Sequence, residues 1–195
     1  MPSHKTRTTA AVAAVSLFAL ASSARGAILC QNPTPDITVP ATTAGVYVNL
    51  VNGVNAITPA GAPGWDFNPW STTLQLWFQN PADPSSAGAV AVATGGNISV
   101  LASGATIGPA QFYSDEQPAT GENVNWRVTN TGQYLGVRFW NESLGVPAIN
   151  YGWIQFDTTS PNGHPANLRS WCYDDSGAAI TAGTTPVELQ DFTVD

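Results

Sequence analysis

Short segments in which apolar and polar residues alternate recur along the chain from residue 46 onward. They are separated by Gly, Pro, Asn and Ser, and none shows the spacing of an amphipathic helix. Alternation bounded by turn residues is typical of antiparallel strands. The predicted strands are Val46–Val51, Thr73–Gln79, Ala89–Thr94, Asn97–Ala102, Asn125–Asn130, Tyr134–Trp140, Tyr151–Asp157 and Leu168–Asp174, with Val187–Val194 as a last strand or a tail.

This number of short strands, in a chain with 18 glycines and 15 prolines, predicts an all-β protein. We expect an antiparallel β-sandwich that resembles a jelly roll. A length of 195 residues suits one domain. The expected organisation is a signal peptide over residues 1–26, a β-sandwich domain over 27–185 and a C-terminal strand or tail over 186–195.

The first residues have the three-part pattern of a secretory signal peptide. Lys5 and Arg7 precede an apolar run from Ala10 to Ala21, which is shorter than the roughly 20 residues that span a bilayer. Cleavage after Gly26 would follow small residues at the positions that the peptidase requires, and cleavage after Ala24 is the alternative. We therefore expect a secreted, extracellular protein without a stable membrane anchor.

Removal of the signal peptide makes the chain strongly acidic. Of the 6 basic residues, Arg127, Arg138 and Arg169 remain against 13 acids, so the net charge becomes 3 − 13 = −10. Nucleic acid and anionic lipid are unsuitable partners for such a surface, because lysine and arginine make most phosphate contacts. Neutral ligands, such as a neutral polysaccharide or exopolysaccharide matrix, fit the charge better.

The chain has 2 cysteines, Cys30 and Cys172. In an oxidising compartment we expect them to form a disulfide that joins the first strand to the last.

Alternation assigns the two faces of the aromatic strands, because neighbouring side chains point to opposite sides of a sheet. Leu135, Val137, Phe139, Ile154 and Phe156 are predicted core residues. In the last strand, alternation places Leu168, Ser170 and Cys172 on one side and Arg169, Trp171 and Tyr173 on the other. If the strands are neighbours, the following residues form one patch: Tyr134, Arg138, Trp140, Tyr151, Trp153, Arg169, Trp171 and Tyr173.

Two interpretations of this patch stay open. Arginines can stack between the rings in a purely structural arrangement. Alternatively, flat aromatic rings with a polar edge can stack on a sugar. In that case the ligand-binding residues are Arg138, Trp140, Tyr151, Trp153, Arg169, Trp171 and Tyr173. The segment Gly64–Trp70 presents a similar choice, because its rings could close one end of the sandwich or line a groove.

The sequence has little that indicates catalysis. His164 is the single histidine after the signal peptide, so neither a zinc site nor a triad with histidine is indicated. The carboxylate pairs Asp115–Glu116 and Asp174–Asp175 lack a calcium-loop pattern. We expect no catalytic residues, no metal site and no cofactor. A calcium-dependent carbohydrate-active enzyme is the less favoured alternative.

Several motifs resemble a family of secreted bacterial β-rich ectodomains, often found with a PEP-CTERM sorting tail. They are "YLGVRF" at Tyr134–Phe139, "YGW" at Tyr151–Trp153, "LRSWCYD" at Leu168–Asp174, "TAG" at Thr181–Gly183 and the upstream segment Ile98–Phe112. The resemblance implies an extracellular protein of the envelope or exopolysaccharide matrix without assigned catalytic residues. The sorting tail is missing from this sequence, so we expect free secretion.

The functional expectation is a secreted, non-enzymatic matrix or cell-surface protein that binds neutral polysaccharide through the aromatic and arginine face. A purely structural surface protein that self-assembles is the main alternative.

Overall fold

The computed structural model describes residues 26–79, 87–144 and 148–186. The predicted tail strand Val187–Val194 and nearly all of the predicted signal peptide lie outside the described residues.

The largest sheet of the described chain has six strands. They are β1 (Ile28–Gln31), β2 (Ile37–Val39), β7 (Gly88–Ala89), β9 (Tyr134–Trp140), β10 (Ile149–Asp157) and β11 (Ala166–Asp174). Their order is β1-β11-β10-β9-β7, and β2 pairs with β11 beyond the end of β1. The pairings are antiparallel, as the alternation predicts.

A second sheet has the order β4-β3-β5-β6. Its strands are β3 (Tyr47–Val48), β4 (Asn55–Ala56), β5 (Phe67–Trp70) and β6 (Gln75–Phe78). A two-stranded sheet pairs β8 (Thr106–Ile107) with β12 (Ile180–Thr181). Short 3₁₀ helices span Pro59–Gly61, Thr120–Trp126 and Glu142–Leu144.

The main core lies between the six-stranded and the four-stranded sheet, which confirms the all-β sandwich. All five predicted core residues are buried there: Leu135, Val137, Phe139, Ile154 and Phe156. They pack with rings of the second sheet, and Phe67 lies with its centroid 6.1 Å from that of Phe156. Alternation therefore identified the inner face of β9 and β10 correctly.

The opposite face of the six-stranded sheet is covered as well. A second apolar cluster joins Trp153 and Cys172 to Ile107 of β8 and Ile180 of β12. Gly136, in the middle of β9, lets this layer approach closely: a Cβ atom there would lie 2.8 Å from side-chain atoms of both Val90 and Leu101. The six-stranded sheet thus has apolar layers on both sides.

A β-bulge in β11 changes the predicted assignment of faces. Gln155 lies opposite Ser170 and Phe156 lies opposite Leu168, so Arg169 is an extra residue in the ladder. An extra residue reverses the alternation on one side of the bulge. Trp171 and Tyr173 consequently pack in the main core together with Leu168. The prediction that they share a face with Trp153 is wrong.

Other segments differ from the prediction as well; Asn97–Ala102, for example, contributes only isolated bridges at Ile98 and Leu101. Asn125–Asn130 was predicted as a strand, but its first part ends the 3₁₀ helix Thr120–Trp126. There Trp126 is fully buried against Phe156, and the segment's pairing is limited to an isolated bridge between Asn130 and Thr158. Phe67–Trp70, which was not among the predicted strands, is β5 and pairs residue by residue with β6.

The predicted disulfide is confirmed. Cys30 of β1 and Cys172 of β11 are direct partners in the ladder and are joined by their sulfur atoms. The bond links residues 142 positions apart and holds β1 to β11.

Candidate functional site

The aromatic face predicted to bind sugar is largely buried. Trp153 is 3% exposed, and Trp171 and Tyr173 are each 2% exposed. The indole nitrogen of Trp153 donates a hydrogen bond to the carbonyl oxygen of Thr184 at 3.1 Å, and its ring packs edge-on against Tyr134. A ligand has no access to these rings, so the prediction of one exposed stacking platform is wrong.

Arg138 and Tyr151 belong to a structural cluster beside this buried layer. The guanidinium of Arg138 lies 4.5 Å from the ring centroid of Tyr113, and the ring of Tyr151 lies 6.1 Å from that same ring. Burial raises the pKa of the Tyr113 phenol, while Arg138 opposes that rise. Arg138 thus stacks on a ring, Tyr113, that lies outside the predicted patch.

Arg169 is exposed at the bulge and pairs with Asp157. Its Nε donates to Asp157 Oδ2 at 2.6 Å, and its Nη2 lies 2.5 Å from the same oxygen. Asp157 also accepts a hydrogen bond from the backbone nitrogen of Gly132 through its other oxygen. Arg169 therefore ties the bulge to the neighbouring turn and lies apart from the other predicted ligand residues.

Trp140 lines a cleft together with aromatic and acidic side chains. The cleft has a volume of about 230 Å³ and forms where β9 ends beside the loop that leads into β5. We call it the Trp65–Trp140 cleft; its lining residues are Pro59, Gly64, Trp65, Asp66, Gln79, Trp140 and Glu142.

Neighbouring aromatic side chains hold Trp65 in a fixed orientation. The rings of Tyr47 and Trp77 pack edge-on against it, with centroids 5.0 and 5.2 Å away. Trp140 is half-buried at the end of β9, and its indole nitrogen has no hydrogen-bond partner among the described residues. The cleft thus has one rigid, largely buried ring and one half-buried ring whose indole nitrogen is itself buried and unpartnered among the described residues.

Asp66 supplies a buried carboxyl group to the cleft. Its Oδ2 accepts a hydrogen bond from the backbone nitrogen of Leu50 at 2.8 Å. Burial raises the pKa of Asp66 well above its usual range; the hydrogen bond from Leu50 lowers it, and the nearby charge of Glu142 raises it. A carboxyl group that keeps its proton can donate a hydrogen bond as well as accept one.

Glu142 supplies the second carboxylate and is held by Asn49. The side-chain amide of Asn49 donates to Glu142 Oε1 at 2.6 Å and to the carbonyl oxygen of Pro63 at 2.9 Å. Gly64, with a φ of +69°, passes close to this carboxylate, since a Cβ atom there would lie 2.5 Å from Glu142 Oε1. A side chain at position 64 would therefore displace Glu142.

The cleft combines ring surface with donors and acceptors in a small volume. Trp140 supplies a half-buried ring, Trp65 lines the cleft with a ring that is 7% exposed, and Asp66, Glu142 and Gln79 supply polar groups. The sequence drew attention to Trp140 and, as a candidate groove, to Gly64–Trp70. It drew attention to the rings of Gly64–Trp70 rather than to Asp66, and it gave no reason to select Gln79 or Glu142.

A larger hollow lies beside the loop between β1 and β2, with a volume of about 530 Å³. Its walls are mainly proline and aliphatic residues, with Asp36 as the one carboxylate and no aromatic ring. Its polar residues are Thr34, Asp36, Thr38 and Asn55, and it offers no ring surface for stacking. We therefore regard the smaller cleft as the better candidate site.

Within the described residues, no group of three or more His, Cys, Asp or Glu side chains is arranged to hold a metal ion. None of the helices in this part of the chain is long and apolar enough to cross a membrane.

Comparison with protein-family models, with curated proteins and with solved structures gives no match. The resemblance to the PEP-CTERM-associated ectodomains therefore stays a prediction from the motifs.

Proposed function

We propose that the protein is a secreted, non-enzymatic matrix or cell-surface protein that binds one neutral sugar unit of a polysaccharide in the Trp65–Trp140 cleft. The observation that carries the proposal is the pair of tryptophans beside two carboxyl groups and an amide in one small cleft. A pyranose ring has an apolar face of C–H bonds and an edge of hydroxyl groups. Indole rings suit the former, and carboxyl and amide groups suit the latter.

The size of the cleft supports a small ligand. Its volume of about 230 Å³ lies below the roughly 300–1,000 Å³ of pockets for drug-sized molecules. One sugar unit of a longer chain is therefore a better match than a long oligosaccharide. The carboxylate of Glu142 and the acidic charge of the whole chain disfavour anionic sugars.

Glycan-array binding with the wild type and Trp140→Ala tests the proposal. We expect the wild type to bind neutral glycans, and we expect the variant to lose about tenfold or more in affinity because the half-buried ring that lines the cleft is removed. Phe112→Ala is the matched control, since Phe112 is an exposed ring that does not line the cleft. Equal binding by wild type and Trp140→Ala, or loss in Phe112→Ala as well, would contradict binding in this cleft.

Self-assembly is a second proposal, favoured by an exposed apolar surface. Val92, Val124 and Val128 are each more than 40% exposed and line one shallow hollow with Val100. Light scattering over a range of concentrations tests it. A mass that rises with concentration in the wild type and stays monomeric in Val128→Asp would support assembly through this surface, and a constant monomer mass in both would contradict it.

A further inference from the structure

The first described residues meet an acidic turn at the end of β11. The backbone nitrogen of Ala27 donates a hydrogen bond to Asp175 Oδ1 at 2.7 Å. In return, the backbone nitrogen of Asp175 donates to the carbonyl oxygen of Ala27 at 3.1 Å. Ala27 and Asp175 therefore bind each other through both of their backbones and one carboxylate.

Gly26 lies against the same turn. A Cβ atom on Gly26 would collide with the carboxylate of Asp174 and would lie 2.5 Å from the hydroxyl oxygen of Ser176. Asp174 Oδ1 already accepts hydrogen bonds from the backbone nitrogen and the hydroxyl group of Ser176. Removal of Gly26 would thus open a space beside Ala27 that is bordered by oxygen atoms.

The sequence places one of the two candidate cleavage positions at this point, since a peptidase that requires small residues can cut after Gly26. Cleavage there would turn the amide nitrogen of Ala27 into an α-ammonium group. The ammonium would keep its acceptor on Asp175 and would face the carboxylate of Asp174. A hydrogen bond between ionised groups is stronger than the same bond from a neutral amide.

We propose that the mature chain begins at Ala27, and that its α-ammonium group forms an ion pair with Asp175 that fastens the start of β1 to the end of β11. The inference rests on the proposed secretion. This ion pair and the Cys30–Cys172 disulfide would both hold β1 to β11.

The ammonium would face the carboxylates of Asp174 and Asp175. Burial raises the pKa of the Tyr173 phenol, and the charge of Asp175 raises it further. The two carboxylates favour the protonated amine, so we expect the pKa of the α-amino group to lie above its ordinary range of about 7.7–8.0.

N-terminal mass analysis of the full chain, exported by a bacterial host, is the first test. A mature protein that begins at Ala27 supports the inference. A protein that is exported but begins at Arg25 overturns the inference and leaves secretion intact. A protein that stays in the cell with its N-terminal segment attached contradicts the proposed secretion itself.

The second test measures the pKa of the α-amino group of the exported protein by NMR. In Asp175→Asn, which keeps an oxygen acceptor but loses the charge, we expect this pKa to fall toward the ordinary range. We also expect the melting temperature at pH 6 to fall by about 1–3 °C. Asp115→Asn is the matched control, because it removes an exposed aspartate from another loop. An α-amino pKa that is the same in the wild type and Asp175→Asn would overturn the ion pair.

Discussion

The indole nitrogen of Trp171 donates a hydrogen bond to the carbonyl oxygen of Leu50, with a distance of 2.9 Å. Both residues are buried, and the bond joins β11 of the six-stranded sheet to the turn that follows β3. A tryptophan that the sequence assigned to a binding surface thus connects the two layers of the sandwich. Trp140, on the neighbouring part of the same sheet, has no partner of this kind and borders the cleft.

These two tryptophans should respond differently to the same substitution. Trp171→Phe leaves the buried carbonyl group of Leu50 without its donor and opens a small cavity, so we expect a loss of about 2–4 kcal/mol in the free energy of unfolding. Trp140→Phe removes an indole nitrogen that has no partner, and we expect a clearly smaller loss. Urea unfolding of both variants checks this, and equal losses would contradict the role of the Trp171–Leu50 bond.

Asp66 should make stability depend on pH. Its pKa is raised in the folded protein, whereas the unfolded chain releases this proton near pH 4. Stability therefore falls as the pH rises from about 4 through the folded pKa, because the folded state binds more protons than the unfolded state. Asp66→Asn keeps an oxygen acceptor for Leu50 and should lack this fall.

Urea midpoints measured between pH 4 and pH 8 test the effect of Asp66. As the pH rises, the urea midpoint of Asp66→Asn should increase relative to that of the wild type. Asp115→Asn, an exposed aspartate outside the cleft, should follow the wild type. Parallel curves for the wild type and Asp66→Asn would show that the burial of Asp66 does not shift its titration.

Gly136 should resist even a small substitution. In Gly136→Ala the new methyl group would press on Val90 and Leu101, so we expect a loss of about 1–3 kcal/mol from overpacking. Gly121→Ala is the matched control, because a Cβ atom there meets nothing within 4 Å. Thermal unfolding compares the two, and a Gly136→Ala variant as stable as Gly121→Ala would contradict the tight approach of the second layer.

The disulfide should contribute strongly to stability. Replacing both Cys30 and Cys172 by alanine should cost about 2–5 kcal/mol, as expected for a native disulfide that closes a long loop. A reducing agent should lower the urea midpoint of the wild type and leave that of the double variant unchanged. A wild type that is insensitive to complete reduction, verified by mass, would contradict this contribution.

Local patterns were sufficient for the parts of the fold that depend on neighbouring residues. Alternation in Tyr134–Trp140 predicted β9 with its observed bounds, and it assigned Leu135, Val137 and Phe139 to the core. The cysteine pairing followed from there being two cysteines and from the predicted compartment. β8 and β12 could not be read in the same way, because strands of two residues carry no period.

The candidate site was predicted only in part. Trp140 was selected for its ring, but Asp66 and Glu142 meet it only because β5 and β9 bring distant segments together. The raised pKa of Asp66 depends on its burial and on the nearby charge of Glu142, and the spacing of these residues in the sequence indicates neither.

The sequence by itself determined the all-β class, the inner face of β9 and β10 and the disulfide, because these depend on side-chain alternation and on residue counts. The tertiary structure decided which aromatic rings remain accessible. One extra residue at Arg169 reversed the alternation in β11 and turned Trp171 and Tyr173 into the core. A further layer covered Trp153. Alternation places two side chains on the same side of a strand, but it does not specify what packs against that side.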